Sequence, residues 1–172
     1  MRLANCRIPI EPLTKAAFQA FGDVIERNTA SSYETNDGEA LRHHDLAHID
    51  VGAQGGRIAV SIFQVLKQAA LPFRLRLMER HPISSQAFVP LGALRFVAVV
   101  APRDVRPGIA SLRAFLAGYG QGVNLHAGVW HHPLIALQTG DFLVMDRTIS
   151  GAPEDQDYEE VLLDGDSISI VN

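Results

Sequence analysis

The sequence contains a single cysteine and no long apolar run, and both absences restrict what the protein can be. Cys6 has no second thiol with which to form an internal disulfide or a paired-cysteine metal site, so the chain fits a reducing compartment. No stretch approaches the roughly 20 apolar residues that span a bilayer, and the N-terminus lacks the apolar core of a secretory signal. We therefore expect a cytoplasmic protein with no membrane partner.

Positive charge is also too sparse and too scattered to suggest a polyanionic partner. The 172 residues carry a formal charge of −4 at pH 7, and their lysines and arginines form no run. Binding to nucleic acid depends on concentrated positive charge, so it is not expected here. The apolar fraction of 47% is that of a globular protein. With no internal repeat, low-complexity segment or linker, the sequence predicts one domain over residues 1–172.

Helical periodicity is confined to the beginning of the chain. Residues 13–21 are predicted as a short helix, with Thr14 as its N-cap and Gly22 in a left-handed terminating position. The rest consists of short alternating or β-branched runs, separated by turn residues at 36–38, 55–56, 102–104, 139–141 and 164–166. Strands are predicted at 24–26, 41–51, 57–66, 73–81, 86–89, 94–101, 134–138, 142–146 and 159–163, one or two helical turns at 111–116, and a polar excursion at 150–157. Many short strands in one domain favour a barrel or a sandwich.

The segment 120–133 concentrates residues that are suited to chemistry. It holds His126, His131 and His132, one asparagine, the only tryptophan and three glycines. Glycine permits close approach of the backbone, and histidine exchanges a proton near neutral pH. This density predicts a binding or catalytic site. The alternative is a loop with a buried tryptophan and histidines in solvent.

The segment 73–81 predicts a strand whose polar residues collect at one end. Because side chains alternate between the two faces of a strand, Glu79 and His81 share a face that begins apolar, while Arg80 lies on the other. Gln86 resumes the alternation after a turn and can lie beside Glu79 and His81. A barrel strand has this pattern where it leaves the filled core and enters a polar cavity. The alternative is that the two residues only mark the exit of the strand into solvent.

Motifs of unusual composition occur along most of the chain. In order they are Phe18, Phe21-Gly22-Asp23-Val24-Ile25, Arg42, His44-Asp45-Leu46, Glu79-Arg80-His81-Pro82, Gln86-Ala87-Phe88-Val89-Pro90, Ser111-Leu112-Arg113-Ala114-Phe115, Gln121-Gly122-Val123-Asn124, His126, Val129-Trp130-His131-His132-Pro133 and Asp146-Arg147. Together they resemble the motifs of the ureidoglycolate lyase family, from the first helix to Arg147. Residues 148–172 are not matched by this resemblance.

The resemblance implies a mainly β, cupin-like β-barrel with a short N-terminal helix, and a homodimer. It also implies a lyase that eliminates urea from ureidoglycolate, a small anionic substrate, to give glyoxylate during the degradation of allantoin and purines. An amidohydrolase reaction that releases ammonia and carbon dioxide is one alternative. Another metal-dependent cupin enzyme and a non-catalytic cupin that binds a small molecule are the others.

A metal site is compatible with the resemblance, although the ligand pattern departs from that of most metal-binding cupins. Those usually present a His-x-His pair, a later Glu or Gln and a fourth His. Here Glu79 takes the place of the first histidine and His81 that of the second, followed by Gln86 and His131. These ligands suit nickel, zinc or iron, and the family has been associated with nickel. The alternative is a metal-free site that works by hydrogen bonds and proton transfer.

Elimination of urea requires a base for the substrate hydroxyl and an acid for the departing nitrogen. We predict catalytic roles for His131, His126 and Glu79, whereas His132 is expected to be a bystander. Glu79 would be the base if burial raises its pKa, or it would orient His131.

Substrate binding is predicted for groups that complement a carboxylate and a urea. A guanidinium can hold a carboxylate through two parallel hydrogen bonds, and side-chain amides can donate to and accept from urea. The strand parity of Arg80 suggests the dimer interface as its alternative position. The predicted substrate-binding residues are Arg42, His44, Gln86, Asn124, Trp130, Arg80 and Arg147.

Overall fold

The structure, a computed structural model, describes residues 5–149, 157–163 and 167–172. One α-helix, α1, covers Lys15–Phe18, and two short 3-10 turns cover Thr29–Ser31 and Ala53–Gly55. All other regular structure in these segments is β. The strands are β1 (Asn5–Pro12), β2 (Gly22–Ile25), β3 (Ser32–Thr35), β4 (Ala40–His43), β5 (Arg57–Val65), β6 (Phe73–Arg74), β7 (Leu77–Arg80), β8 (Gln86–Pro90), β9 (Phe96–Ala101), β10 (Arg113–Ala117), β11 (Gly122–Leu125), β12 (Trp130–His131), β13 (Ile135–Ala136), β14 (Gly140–Thr148), β15 (Glu159–Leu162) and β16 (Ser167–Val171).

Two sheets and one separate hairpin account for these strands. The larger sheet has the order β15-β7-β12-β9-β10-β1-β16-β6, with β13 also paired to β9. The smaller sheet has the order β2-β11-β8-β14-β5, and β3 pairs only with β4. Most pairings are antiparallel, but β1 runs parallel to both β10 and β16.

The first hydrophobic core lies between the two sheets. Phe96 from the larger sheet meets Phe142 from the smaller one edge to face, with ring centroids 5.6 Å apart. Helix α1 contributes Phe18, which is fully buried and lies 5.3 Å from the ring of Phe115. Removing such a buried ring costs about 3–5 kcal/mol. The prediction of a mainly β fold with a short N-terminal helix is confirmed, and the described strands form two sheets around the first core.

A second core covers the opposite face of the larger sheet. Strand β9 alternates between the two cores, because Val100 packs in the first and Val99 in the second. Ile8 of β1 and Ile170 of β16 complete the second core. Neither β1 nor β16 was among the predicted strands. The larger sheet therefore has a hydrophobic core on each of its two faces.

Helix α1 is shorter than predicted. Thr14 is the N-cap as expected, since its Oγ1 accepts a hydrogen bond of 3.2 Å from the main-chain N–H of Ala17. The helix ends at Phe18, however, and Gly22 begins strand β2. A Cβ at position 22 would lie only 1.9 Å from the carbonyl oxygen of Asn124. Gly22 is therefore needed for close strand packing, and its predicted role as helix terminator is wrong.

Three further predictions of secondary structure are corrected. The segment 111–116, predicted as helical turns, is mainly strand β10. Ala114 and Phe115 are buried on opposite faces of this strand, so the usual alternation of apolar and polar residues is absent. The predicted strand 41–51 ends at His43, shortly before Asp45, whose φ is 51°. The predicted strand 73–81 is divided into β6 and β7, which pair with different partners. Strands β3 and β11 were not predicted.

The turn predicted at 36–38 is confirmed. Asn36, Asp37 and Gly38 have φ values of 55°, 56° and 88°, which these residue types adopt more readily than others. The predicted turn at 164–166 and residues 150–156 of the predicted polar excursion lie outside the described residues. The described residues contain no helical segment that could span a bilayer.

Candidate active site

Two neighbouring strands bring a carboxylate and two histidines together. His131 on β12 lies opposite Glu79 on β7, and 3.6 Å separates its Nε2 from Oε1 of Glu79. His81 follows β7, and its ring centroid is 5.6 Å from that of His131. One ligand-type atom from each of the three residues lies within 4.8 Å of the others. We call Glu79, His81 and His131 the acceptor triad.

Main-chain carbonyl groups orient both imidazole rings of the acceptor triad. Nδ1 of His81 lies 2.7 Å from the carbonyl oxygen of Asp157, and Nδ1 of His131 lies 3.0 Å from that of Val129. A carbonyl oxygen only accepts hydrogen bonds, so Nδ1 carries the proton in each ring. In the neutral rings Nε2 then bears a lone pair. Both Nε2 atoms are buried and have no hydrogen-bond partner among the described residues.

The carboxyl of Glu79 is ionised at neutral pH. Burial by itself raises the pKa of Glu79, but the hydrogen bond and positive charge that His131 supplies in its protonated form, with smaller contributions from His81 and Tyr158, outweigh it. The net effect lowers the pKa of Glu79 below its ordinary value. The condition under which Glu79 was expected to act as the base, a raised pKa, is therefore not met, and Glu79 supplies a negative charge beside the two imidazole rings.

The acceptor triad fits either a proton or a divalent metal ion. Three acceptor atoms that face one another repel, unless a positive charge lies between them. Imidazole nitrogen and carboxylate oxygen are ligands for nickel, zinc and iron, and an Nδ1–H bond to a carbonyl is the usual way in which a ligating histidine is oriented. The residues present therefore fit a divalent ion.

Gln86 lies on the face of β8 that is directed into the first core. It shares that face with Phe88, two residues further along the strand, whose side chain packs between the sheets. Its Nε2 lies 3.4 Å from Oδ2 of Asp146, whereas its Oε1 is buried and unpartnered among the described residues. Asp146 was in a quoted motif but was not among the predicted site residues.

Asp157, Tyr158 and Glu160 contribute to the site, although the sequence interpretation assigned them no role. The hydroxyl of Tyr158 lies 3.3 Å from Oε2 of Glu79 and 2.8 Å from Oε2 of Glu160. Burial and the two carboxylates raise the pKa of Tyr158, so the phenol keeps its proton. Asp157 reaches His81 through its carbonyl oxygen. The only sequence signal was a polar pair before a short predicted strand, which is too common to indicate a site.

Asn124 and His126 belong to a second polar cluster. Val123 and Leu125 face the first core, so Asn124 points to the other face of β11. Its Nδ2 donates to Oδ2 of Asp23 and to the carbonyl of His48, each at 2.9 Å. His126 lies 3.3 Å from the same carboxylate of Asp23. The structure therefore groups two predicted site residues with Asp23, on the opposite face of β11 from the first core.

Arg80 and Trp130 lie next to the acceptor triad in sequence but on the opposite face of their strands. Trp130 is buried in the second core, and the guanidinium of Arg80 stacks over its ring at 4.4 Å. Arg80 also forms an ion pair of 2.5 Å with Glu159. Strand parity was thus informative for Arg80, which is directed away from Glu79 and His131.

The other predicted binding residues make their described contacts with groups outside the acceptor triad. Arg147 is 7% exposed, and its guanidinium donates to the carbonyl of Ala53 at 2.9 and 3.2 Å. Arg42 and His44 are exposed beside the ring of Tyr33, on and just after the β3–β4 hairpin. Among the described residues, the ring contacts of Arg42 and His44 are with Tyr33 rather than with the triad.

His132 has the features of a bystander. Its ring packs edge to face on Phe73, with centroids 5.4 Å apart, and burial is the main cause that lowers its pKa. Its Nδ1 lies 2.8 Å from the carbonyl oxygen of Pro133. A neutral, packed imidazole of this kind has little capacity to exchange protons at neutral pH.

Comparison with known proteins identifies the family. The family model for ureidoglycolate lyase matches residues 5–170. A ureidoglycolate lyase from Burkholderia mallei is 50% identical over 81% of this chain and 82% of its own length. The ureidoglycolate lyase of Pseudomonas paraeruginosa is 44% identical over 93% of this chain and 97% of its own length. A solved structure of a dTDP sugar isomerase from Desulfovibrio desulfuricans aligns with 84% of this chain and 83% of its own, at 16% identity and a TM-score of 0.42. The chain belongs to the ureidoglycolate lyase family.

Proposed function

We propose that this protein is a ureidoglycolate lyase, which eliminates urea from ureidoglycolate and leaves glyoxylate. Membership of the family and relatives of that name at 44% and 50% identity support the reaction. The observation that carries the proposal is the acceptor triad, in which two buried imidazole lone pairs face an ionised carboxylate. Such a group can take up and return a proton, as the elimination requires.

His131 is the proposed proton carrier. The reacting carbon bears a hydroxyl, a carboxylate and a urea nitrogen. Nε2 of His131 takes the hydroxyl proton, the O–H electron pair forms the C=O bond of glyoxylate, and the electrons of the C–N bond leave with urea. The imidazolium returns its proton to that nitrogen, so the proton is conserved. Glu79, 3.6 Å away, stabilises the imidazolium. A positioned group of this kind contributes about 10²- to 10⁴-fold.

A divalent metal ion, such as nickel, is the second occupant that the acceptor triad supports. His81, His131 and Glu79 would hold it, with Gln86 as a further oxygen ligand. When bound, such an ion would act as a Lewis acid toward the oxygens of the substrate. His131 has one free lone pair, so it serves either as ligand or as base. Elemental analysis and activity after chelation distinguish these roles: retained activity without metal supports the base, and loss that nickel restores supports the ligand.

The other predicted site residues stay predictions. Gln86 has an unpartnered Oε1 and is the proposed contact for the urea group. Alanine variants with a raised KM and a folded structure would support substrate contacts at the remaining positions. These positions are Arg42, His44, Asn124, Trp130, Arg80 and Arg147. For His126, which is proposed to be catalytic, the supporting result is a lowered kcat in a folded alanine variant.

We propose a homodimer that forms through strand β5, which is an edge of the smaller sheet. Ile58, Val60 and Ile62 alternate along its outer face and are 45%, 67% and 54% exposed. A long apolar edge strand is normally protected from unwanted pairing. An antiparallel second copy would cover this edge and its apolar face, in agreement with the resemblance to the family.

The cytoplasm is the proposed location. The one cysteine, Cys6, is free, which is compatible with a reducing compartment. Immunodetection in fractionated cells of the source would test this location.

Product analysis tests the proposed reaction. We expect purified protein to release urea and glyoxylate from ureidoglycolate in equal amounts, and His131→Ala to remain folded and lose most of this activity. His132→Ala is the matched control and should retain turnover, because its ring is neutral and packed on Phe73. Ammonia in place of urea would refute the lyase, and near-normal turnover of His131→Ala would refute the role of His131.

A further inference from the structure

Asp157 is a buried carboxylate that the elimination does not use. It is 4% exposed and lies just before strand β15. Its Oδ1 accepts a hydrogen bond of 2.8 Å from the main-chain N–H of Ile83, and its Oδ2 accepts one of 2.5 Å from the hydroxyl of Ser84. Both donors belong to the connection between β7 and β8, so the side chain ties this connection to the chain before β15.

The same residue holds the ring of His81 through its main chain. The carbonyl oxygen of Asp157 accepts a hydrogen bond of 2.7 Å from Nδ1 of His81. The carbonyl of His81 in turn accepts one of 2.7 Å from the N–H of Gly128. The side-chain contacts of Asp157 with Ile83 and Ser84 therefore hold its carbonyl at the correct position for the ring.

The position of this carbonyl decides which nitrogen of His81 carries the proton. A neutral imidazole has one N–H, and an acceptor at Nδ1 places the proton there. Nε2 then has no proton and is directed into the buried space shared with Glu79 and His131. In the other tautomer, an N–H at Nε2 would occupy that space, and His81 would be neither a ligand nor an acceptor.

We propose that Asp157 is a positioning residue, which fixes His81 in the Nδ1–H tautomer and thereby keeps the Nε2 lone pair of His81 available to the acceptor triad. The consequence for turnover rests on the proposed function. The tautomer itself does not, because it follows from the contacts of Asp157 alone.

Nitrogen NMR of the histidine rings tests the proposal directly. The ¹⁵N-labelled protein is treated with a chelator and measured at about pH 8, where an ordinary histidine is neutral. His81 is assigned by the signal that disappears in His81→Gln. We expect wild type to give the shift pair of a protonated Nδ1 and an unprotonated Nε2. A protonated Nε2 in wild type would overturn the proposal.

Three variants separate the role of Asp157 in positioning from a general effect on stability. Asp157→Ala loses the side-chain contacts with Ile83 and Ser84 and should give His81 signals shifted toward the Nε2–H form. Asp157→Asn can accept from Ile83 and donate to Ser84, so it should restore the wild-type pattern. Glu159→Gln is the control: it neutralises a carboxylate two residues away that pairs with Arg80. If Asp157→Ala keeps the wild-type shifts of His81, the proposal is wrong.

Nickel titration of the folded variants gives a second measurement. Loss of a group that orients a ligand typically weakens metal binding by about 10- to 100-fold. We expect this loss in Asp157→Ala and near wild-type affinity in Asp157→Asn and Glu159→Gln. If Asp157→Ala does not fold, Ser84→Ala, which removes the contact between Ser84 and the carboxylate, should give a smaller shift in the same direction. Unchanged His81 signals in Ser84→Ala would then overturn the proposal. A wild-type protein that shows the Nδ1–H tautomer and yet releases no urea would refute the proposed function and leave the role of Asp157 intact.

Discussion

Replacing Glu79 with glutamine should remove charge from the acceptor triad and leave its shape unchanged. Oε1 of Glu79 lies 3.6 Å from Nε2 of His131. At an effective dielectric constant of about 20, opposite unit charges at this separation attract by about 4–5 kcal/mol. Glu79 is partly open to solvent, and the amide oxygen of glutamine still accepts a hydrogen bond. We therefore expect about half of this energy to be lost.

A loss of about 2–3 kcal/mol in transition-state stabilisation corresponds to a decrease of about 10²-fold in rate. Steady-state release of glyoxylate from ureidoglycolate would measure it as kcat and kcat/KM. Both should fall together if the charge acts mainly on the imidazolium that forms during the reaction.

Glu159→Gln is the control for this experiment. It neutralises a carboxylate on the neighbouring strand that faces Arg80, away from His131. We expect its kcat to remain close to that of wild type. If Glu79→Gln folds normally and turns over as fast as Glu159→Gln, the assignment of an electrostatic role to Glu79 is refuted.

Three further predictions concern stability and assembly. Gly22→Ala should lower the free energy of unfolding by about 1–3 kcal/mol or more, because the new Cβ would meet the carbonyl oxygen of Asn124 at 1.9 Å. Denaturation by urea measures this free energy, and an unchanged midpoint would contradict the close packing. Burial raises the pKa of Asp23, but hydrogen bonds from Asn124 and the His48 N–H, together with His126, outweigh it and lower this pKa overall. The ionised Asp23 therefore stabilises the folded state above the pKa of the carboxyl in the unfolded chain, and this stabilisation is lost as the pH falls through the pKa in the folded state. Asp23→Asn should accordingly make the midpoint of thermal unfolding less dependent on pH on the acid side. Val60→Lys should convert the proposed dimer to a monomer in light scattering without loss of β structure, and an unchanged dimer mass would exclude the β5 interface.

The members of the acceptor triad were predicted in two ways. The alternation of side chains separated Glu79 and His81 from Arg80, whereas His131 was placed with them by the resemblance to the family. In the structure His131 lies opposite Glu79 in an antiparallel pair. Side-chain alternation did not locate Asn124, because its segment was interpreted as a loop. In strand β11, Val123 and Leu125 are buried between the sheets. The side chain of Asn124, which lies between them in sequence, therefore points to the opposite face of the strand.

Contacts between distant segments were the part that sequence reasoning missed. Asp157 reaches Ile83 and Ser84 across more than 70 residues, and no local pattern marks such a partner. Strand β10 was misinterpreted for a related reason. Phe115 and Ala114 are buried in different cores, so the alternation that identifies a strand at a surface is absent.

The position of β1 has a consequence for how the chain is made. This strand runs between β10 and β16, and Ile8 pairs in register with Ile170, roughly 160 residues away. During synthesis, one edge of β1 therefore stays unpaired until nearly all of the chain has left the ribosome. Contacts of such long range form slowly, and an unpaired apolar strand invites association with other chains. Fragments that end before residue 167 should accordingly aggregate when expressed, even though the residues of the acceptor triad are present in them.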